Sequence, residues 1–304
     1  MRGTPGGTGV TVKAVTIGVD VSTSAAAGAD PVRFAQAAER LGFDFVSCSD
    51  HPSGTHPSFE TWTLLTWIAA ATKRVGIVTR VLGVPYRPPA MVAKMAETLD
   101  RLSGGRLILG LGGGYSDDEF RGFGLRVPTP REKVDGMEEA VRIIRGLWSQ
   151  PGFSFDGRLF TTADAELEPK PDRTIPIWLG TFGDRALTVT GRLADGWIPS
   201  HGMAPPAPAE VMRRRVRAAA EEAGRDPDDI TYAYNVEVRA GEQRPSPDST
   251  AVWGSSRAVA EQLASFVGLG FTTLNLKPVG ADRGEQLELL ATEVLPVLRP
   301  DAAN

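Results

Sequence analysis

Polar and titratable side chains follow the short apolar runs of this 304-residue sequence. The clearest pair is Asp50 and His51, which follow the strand-like run at residues 43–47 (FDFVS) after Cys48 and Ser49. Imidazole titrates near neutrality, so His51 could give or accept a proton in general acid–base catalysis. The purely structural alternative is that Asp50 caps a turn and that His51, held extended by Pro52, is simply exposed.

A second segment, residues 102–125, combines a glycine turn, an apolar run and a denser glycine cluster. Gly110, Gly112, Gly113 and Gly114 remove side-chain bulk where the apolar run ends, which permits close approach of a flat ligand. The spacing excludes the dinucleotide fingerprint G-x-G-x-x-G, because Tyr115 or Asp117 stands where the last glycine would be required.

Other strand-like runs also end in residues suited to a binding site. These residues are Thr79, Arg80 and Val81, then Gly180, Thr181 and Gly183, then Ser200 and His201. No serine–histidine–acid set occurs among them, and the few metal ligands argue against a dinuclear hydrolase, so we expect no metal site. His56 and His201 are expected at the surface or rim.

Eight strand-like runs alternate with eight helical segments, which predicts a single (β/α)8 TIM barrel over residues 14–304. Residues 150–173 interrupt the alternation between helix 4 and strand 5, where residues 153–160 predict a hairpin on an Asp-Gly turn. Residues 1–13 are predicted to be a flexible leader. A doubly wound sheet is the alternative fold. In a barrel, the chemistry belongs at the carboxyl ends of the strands.

Composition restricts the partners. The net charge of −4 and the pI near 5.6 argue against nucleic acid or an anionic membrane as the main partner. No apolar run approaches the ~20 residues of a membrane span. The single cysteine, Cys48, cannot form an internal disulfide, which suits the cytoplasm. A small-molecule substrate is therefore expected.

Four segments together resemble the luciferase-like monooxygenase superfamily and, more narrowly, its branch that uses the deazaflavin coenzyme F420. They are the SDH after the second strand, YRPPAMVAKMAETLD, LSGGRLILGLGGGYSDDEFRGFG and PIWLGTFGDRALTVTGRLADGWIPS. They occur in the family's order and cover nearly all of the chain after the leader. The resemblance implies coenzyme F420 as the cofactor, with FMN as the alternative.

The resemblance also implies roles for individual residues. Asp50 and His51 would lie beside the redox face of the deazaflavin, with His51 as the proton donor or substrate-orienting group. A non-prolyl cis peptide would fall at Arg80–Val81 and press backbone against the ring. The implied cofactor-binding residues are Asp50, His51, Thr79, Arg80, Val81, Gly112, Gly113, Gly114, Tyr115, Gly180, Thr181, Phe182, Gly183, Asp184 and Arg185.

Related deazaflavin enzymes of the sugar-phosphate dehydrogenase type carry a glutamate acid where this chain has Tyr115, and the nearby Glu119 is out of register. Residues 181–185 match the family's cofactor-phosphate loop, where backbone N–H groups at a helix start favour an anion. Asp184 would repel that phosphate unless it points away as an N-cap.

The expected function is an F420-dependent oxidoreductase that transfers a hydride between the deazaflavin C5 and a small alcohol, ketone or activated alkene. An FMN-dependent monooxygenase and a non-catalytic flavin-binding protein are the alternatives. A homodimer is expected from the resemblance. The apolar side chains of Trp62, Trp67, Met91 and Met95 could form its interface or equally be intramolecular core.

Overall fold

The structure, a computed structural model, describes residues 15–299, and the predicted leader over residues 1–13 lies outside them. Eight parallel strands close into a barrel, since each pairs with the next and the last pairs with the first, and this confirms the predicted fold class. The strands are β1 (Thr16–Asp20), β2 (Phe45–Cys48), β3 (Gly76–Thr79), β4 (Leu107–Gly112), β5 (Ile177–Leu179), β6 (Gly196–Trp197), β7 (Thr231–Ala240) and β8 (Thr273–Pro278).

Helices cover the outside of the barrel because each presents an apolar stripe to the strands. Their ends carry the expected signals: Asp30 caps α1, and Thr129 and Glu132 form a capping box at the start of α4. The helices are α1 (Pro31–Arg40), α2 (Thr61–Ala71), α3 (Pro89–Ser103), α4 (Pro130–Ser149), α5 (Asp184–Leu193), α6 (Pro206–Glu222), α7 (Ser256–Gly268) and α8 (Arg283–Leu289), which continues through a π-turn at Leu290–Val294 to Leu295–Leu298.

The insertion between α4 and β5 is a hairpin, but its turn differs from the prediction. Its strands are Phe153–Asp156 and Thr161–Ala165, so residues 157–160 form a four-residue turn rather than a tight Asp-Gly turn within residues 153–160. The cause lies on α4, where Glu139 accepts hydrogen bonds from three consecutive backbone N–H groups of the turn. Those groups therefore face α4 instead of joining the strand ladder.

Two short elements lie at the carboxyl ends of the strands, where a barrel keeps its site. After β3, the Arg80–Val81 peptide bond is cis, as the resemblance implies, and the strand Leu82–Gly83 then pairs with β4. After β4, the short helix Asp117–Gly122 begins. Within residues 15–299, none of the helices combines the length and the apolar character needed to cross a membrane.

Candidate functional site

A cavity of about 390 Å³ opens at the carboxyl ends of the barrel strands. Ten of the fifteen residues predicted to bind a cofactor line it, so the structure brings them together; their roles toward a cofactor stay predictions. These ten are Asp50, His51, Arg80, Val81, Gly112, Gly113, Gly114, Tyr115, Gly180 and Phe182.

The other five predicted residues lie off the cavity lining. Thr79 is buried, and its hydroxyl donates to the carbonyl of Gly110 (2.8 Å) and accepts from the same residue's N–H (2.7 Å). The hydroxyl of Thr181 pairs with a second threonine hydroxyl within the fold. Gly183, Asp184 and Arg185 are exposed at the start of α5.

The glycines at the end of β4 and just after it pack against neighbouring protein groups. A Cβ on Gly110 would lie 1.9 Å from the carbonyl oxygen of Thr79, and a Cβ on Gly112 would lie 2.6 Å from Cγ2 of Val81. A Cβ on Gly113 would lie 2.9 Å from Cβ of Lys133. These glycines therefore make room for neighbouring protein groups, chiefly the backbone and side chain after β3. They shape the cavity wall, and close approach of a flat ring to them stays a prediction.

Arg80 lines the cavity, and its guanidinium is held from behind by a buried carboxylate. Asp20, only 3% exposed, accepts from Nε (3.1 Å) and Nη2 (2.7 Å) of Arg80. Arg283 from the start of α8 reaches the same carboxylate at 3.4 Å. A buried carboxylate needs such partners. The interaction holds together, under the cavity, the end of β1, the end of β3 and the start of α8.

Asp50 is buried and fully engaged by other protein groups. Arg87 donates to both of its oxygens, at 2.8 and 3.0 Å, and the N–H of Gly83 donates at 3.0 Å. Bidentate arginine–carboxylate pairs of this kind fix geometry as well as charge. The arrangement favours a role in holding the loop after β2 against the strand after Val81, and the predicted direct catalytic role for Asp50 remains untested.

His51 takes part in a chain of three side chains at the cavity mouth. Its Nδ1 lies 2.8 Å from Oε1 of Glu119, and the hydroxyl of Tyr86 donates to Oε2 of the same carboxylate. A carboxylate accepts but does not donate, so Nδ1 carries the proton and Nε2 is left free for a substrate. The ring of Tyr115 meets the His51 ring edge-on at 6.0 Å.

Tyr86 is a fixed donor in this chain. Burial, followed by its hydrogen bond to Glu119, raises the pKa of the Tyr86 phenol above its ordinary value. The phenol therefore keeps its proton at neutral pH and holds one carboxylate oxygen, while the other oxygen is directed at His51. The geometry is that of an oriented general base.

A line of neutral polar groups crosses the barrel below the cavity. Ser47 donates to Asn275 (3.0 Å), Asn275 donates to Asn235 (2.7 Å), and Asn235 donates to Ser200 (3.1 Å). Ser200 and Asn235 line the cavity, as does Lys277, whose ammonium pairs with Glu237 at 2.8 Å. Because these groups satisfy one another's hydrogen bonds and the two charges pair, they stay in place without a net charge.

The structure adds candidate site residues that the sequence pattern does not reveal. Glu119 is out of register with the family acid, yet the short helix Asp117–Gly122 brings its carboxylate onto His51. Tyr86 and Arg87 begin the segment YRPPAMVAKMAETLD, so the family resemblance could have identified them as candidate site residues. Asn235 and Lys277 lie within β7 and β8, where the sequence pattern predicts only buried core positions.

The two remaining histidines lie away from this chain of side chains. His56 is exposed, in agreement with the prediction of a surface position. His201 is half-buried against the rings of Tyr234 and Phe266, and burial lowers the pKa of its imidazole. Neither lines the cavity.

Comparison with known proteins establishes the class. The model of the luciferase-like monooxygenase family matches residues 11–246, so the chain belongs to that family. The F420-dependent glucose-6-phosphate dehydrogenase of Kribbella flavida is 31% identical, with the match covering 82% of this chain and 76% of that protein. The enzyme of the same description from Kineococcus radiotolerans is 29% identical over 88% of this chain and 92% of its own.

Among solved structures, an F420-dependent secondary alcohol dehydrogenase in complex with an F420–acetone adduct has a TM-score of 0.85 to this chain. It is 22% identical, and the match covers 94% of this chain and all of that one (100%). At this identity the likeness shows the barrel fold.

Proposed function

We propose that this chain is an F420-dependent oxidoreductase that interconverts a small neutral alcohol and its ketone. The named relatives support the cofactor. When bound, coenzyme F420 supplies a two-electron hydride acceptor or donor at C5 of its deazaflavin. The observation that carries the proposal is the chain Tyr86–Glu119–His51 at the cavity mouth, which gives a histidine with a free Nε2.

The residues around the cavity fit a flat heteroaromatic cofactor. Val81, Phe182 and Ile198 offer apolar surface, while Ser49 and Asn235 offer hydrogen-bonding groups on the same lining. This mixture of apolar walls and a few polar groups is typical of cofactor sites. Val81 is held in place by the glycines that leave space for its side chain.

The residues of this chain would handle the proton. In the oxidation direction, Nε2 of His51 accepts the proton of the substrate hydroxyl as its carbon loses a hydride, and in the reduction direction His51 returns the proton. Glu119 keeps the imidazole in the tautomer that this step requires, and it stabilises the imidazolium that forms.

The charges at the cavity favour a neutral substrate over a phosphate ester. Among the described residues that line the cavity, the arginine and lysine side chains are those of Arg80 and Lys277. Each already forms an ion pair, Arg80 with Asp20 and Lys277 with Glu237. A phosphate would have to compete with these carboxylates. This arrangement, with Tyr115 in place of the acid of the sugar-phosphate enzymes, supports a small alcohol, ketone or activated alkene as the substrate.

Cofactor titration tests the proposal directly. Fluorescence quenching should show that the protein binds coenzyme F420 more tightly than FMN, and a preference for FMN would instead support the monooxygenase alternative. His51→Ala should keep cofactor affinity but lose turnover of a secondary alcohol such as 2-propanol by about 10²–10⁴-fold, the contribution typical of a positioned acid–base group. Unchanged turnover would remove His51 from the mechanism.

We also propose that the protein works in the cytoplasm as a homodimer joined through α2 and α3. Trp67 (69% exposed), Met91 and Leu102 are large apolar side chains left open to solvent on these two neighbouring helices. An apolar face suits a second copy of itself, because a two-fold interface brings the same patch from both subunits together. Trp67→Glu should give monomers in light-scattering chromatography, whereas Val211→Glu, at an exposed apolar position on α6, should not.

A further inference from the structure

Apolar side chains follow three neighbouring strands at the mouth of the cavity. The strands β4, β5 and β6 pair in that order. Tyr115 comes after β4, Phe182 after β5 and Met203 after β6, and all three line the cavity. The other strands contribute mostly polar groups to the lining, such as Asp50 and Lys277. One side of the mouth is therefore an apolar arc made of Tyr115, Phe182 and Met203.

The outer part of the apolar arc is open to solvent. Tyr115 is 74% exposed and Met203 is 55% exposed, whereas Phe182 is partly buried against the core. The backbone at Met203 is held in a turn, because its N–H donates to the carbonyl of Ser200 at 3.0 Å. Single exposed apolar side chains are ordinary, but two on the rim of one cavity offer apolar surface to a ligand bound there.

This exposed surface adjoins the group that would handle the proton. The ring of Tyr115 meets the ring of His51 edge-on at 6.0 Å. The side chain of His51 is itself 48% exposed, so the imidazole lies at the mouth of the cavity. A substrate hydroxyl that is hydrogen-bonded to this imidazole therefore has the Tyr115 ring beside it, and the rest of the substrate meets the arc.

The charged groups of the lining offer little to a polar substituent. Arg87 holds Asp50 at 2.8 Å, and Lys277 pairs with Glu237 at the same distance. A charged or heavily hydroxylated substituent would have to break such pairs or leave its own groups without partners, and either costs free energy. An alkyl chain needs no partner and gains from covering apolar surface.

We infer that Tyr115 and Met203 bind the alkyl chain of the substrate and make the enzyme prefer medium-chain secondary alcohols to 2-propanol. The inference rests on the proposed function and names the substrate class within it. Complete burial of one methylene favours binding by about fourfold. The rim covers a chain on one side only, so each methylene should contribute about twofold. 2-Hexanol, with three more methylenes than 2-propanol, should then be favoured by roughly eightfold.

The experiment varies only the length of the chain. The F420-loaded protein is assayed for kcat/KM with 2-propanol, 2-butanol, 2-pentanol and 2-hexanol, and calorimetry gives the Kd of acetone and of 2-hexanone. Both kcat/KM and ketone affinity should rise along the series. The heat-capacity change of binding should be more negative for 2-hexanone, because burial of apolar surface has that signature. The ketone Kd reports contact with the chain independently of the chemical step.

Variants assign the preference to the rim. Met203→Gln keeps the size of the side chain but makes it polar, and the ratio of kcat/KM for 2-hexanol to that for 2-propanol should fall from about eightfold to about threefold or less. Adding Tyr115→Ser should bring the ratio close to one. The ratio is the readout because any effect of Tyr115 on His51 acts on both alcohols alike. Met91→Gln, at a methionine on α3 that is also 55% exposed, is the control and should keep the wild-type ratio.

The possible failures are distinguishable. A wild-type enzyme that oxidises all four alcohols with equal kcat/KM would overturn the inference and leave the proposed function standing. The same holds if Met203→Gln keeps the full ratio, or if Met91→Gln loses it equally. Failure of the F420-loaded protein to oxidise any of these alcohols would overturn both.

Discussion

Replacing Glu119 by glutamine tests whether His51 depends on an oriented, charged partner. The carboxylate lies 2.8 Å from Nδ1, and its side chain is 12% exposed while that of His51 is 48% exposed, so solvent screens the pair from the histidine side only. Hydrogen bonds to charged groups contribute about 1.5–3 kcal/mol. If that stabilisation develops on the imidazolium in the transition state, Glu119→Gln should lower kcat by roughly 10- to 150-fold.

The assay follows the absorbance of F420 during oxidation of 2-propanol and, separately, the Kd of F420 by quenching. The loss should fall on kcat, with the cofactor Kd within about twofold of the wild type, because Glu119 acts on the proton and not on the cofactor. Asp118→Asn is the matched control, since Asp118 lies on the same short helix and its ion pair within residues 15–299 is with the exposed Arg121. Wild-type kcat in Glu119→Gln, or an equal loss in Asp118→Asn, would refute the reasoning.

Three further predictions concern stability. Gly112→Ala places a Cβ 2.6 Å from a methyl of Val81 and should cost about 1–3 kcal/mol in urea unfolding. Gly268→Ala, at the last residue of α7, meets nothing within 4 Å and should lower stability by less than about 0.5 kcal/mol. Asp20→Asn leaves two arginines without their shared buried carboxylate and should cost about 3–5 kcal/mol, so a loss under 1 kcal/mol would contradict that account. Hydrogen bonds from an arginine and from the helix cap lower the pKa of Glu132 from 4.5 to about 2. The ionised carboxylate therefore stabilises the fold above pH 4.5, and this stabilisation is lost as the pH falls toward 2. Glu132→Gln should lower Tm at pH 7, and the difference in Tm from the wild type should shrink between pH 4.5 and pH 2.

The barrel itself was predictable because its signals are local. Apolar runs alternate with helical stripes, and caps such as Asp30 and Thr129 mark helix starts. Placing the candidate residues at the carboxyl ends of strands then follows from the fold class alone. This is why residues as distant in sequence as His51 and Phe182 could be assigned to one cavity before their positions were known.

Contacts between elements were not predictable in the same way. Glu119 lies 68 residues from His51 on a six-residue helix, too short to show a period. The hairpin turn depends on Glu139, a surface carboxylate of another helix whose spacing indicates only an exposed position. The glycine cluster indicates close approach, but it does not indicate that Val81 is the group that approaches Gly112. In each case the deciding partner is remote in sequence.

Glu139 holds the hairpin turn through hydrogen bonds to its backbone, and this affects which substitutions the turn can accept during evolution. Because the carboxylate contacts backbone groups of the turn, its hold does not depend on which side chain stands at residue 158. Substitution at residue 158 can therefore change the charge of this surface while the barrel and the cavity lining remain as they are. Selection can thus alter the surface of the hairpin without disturbing the residues that line the cavity.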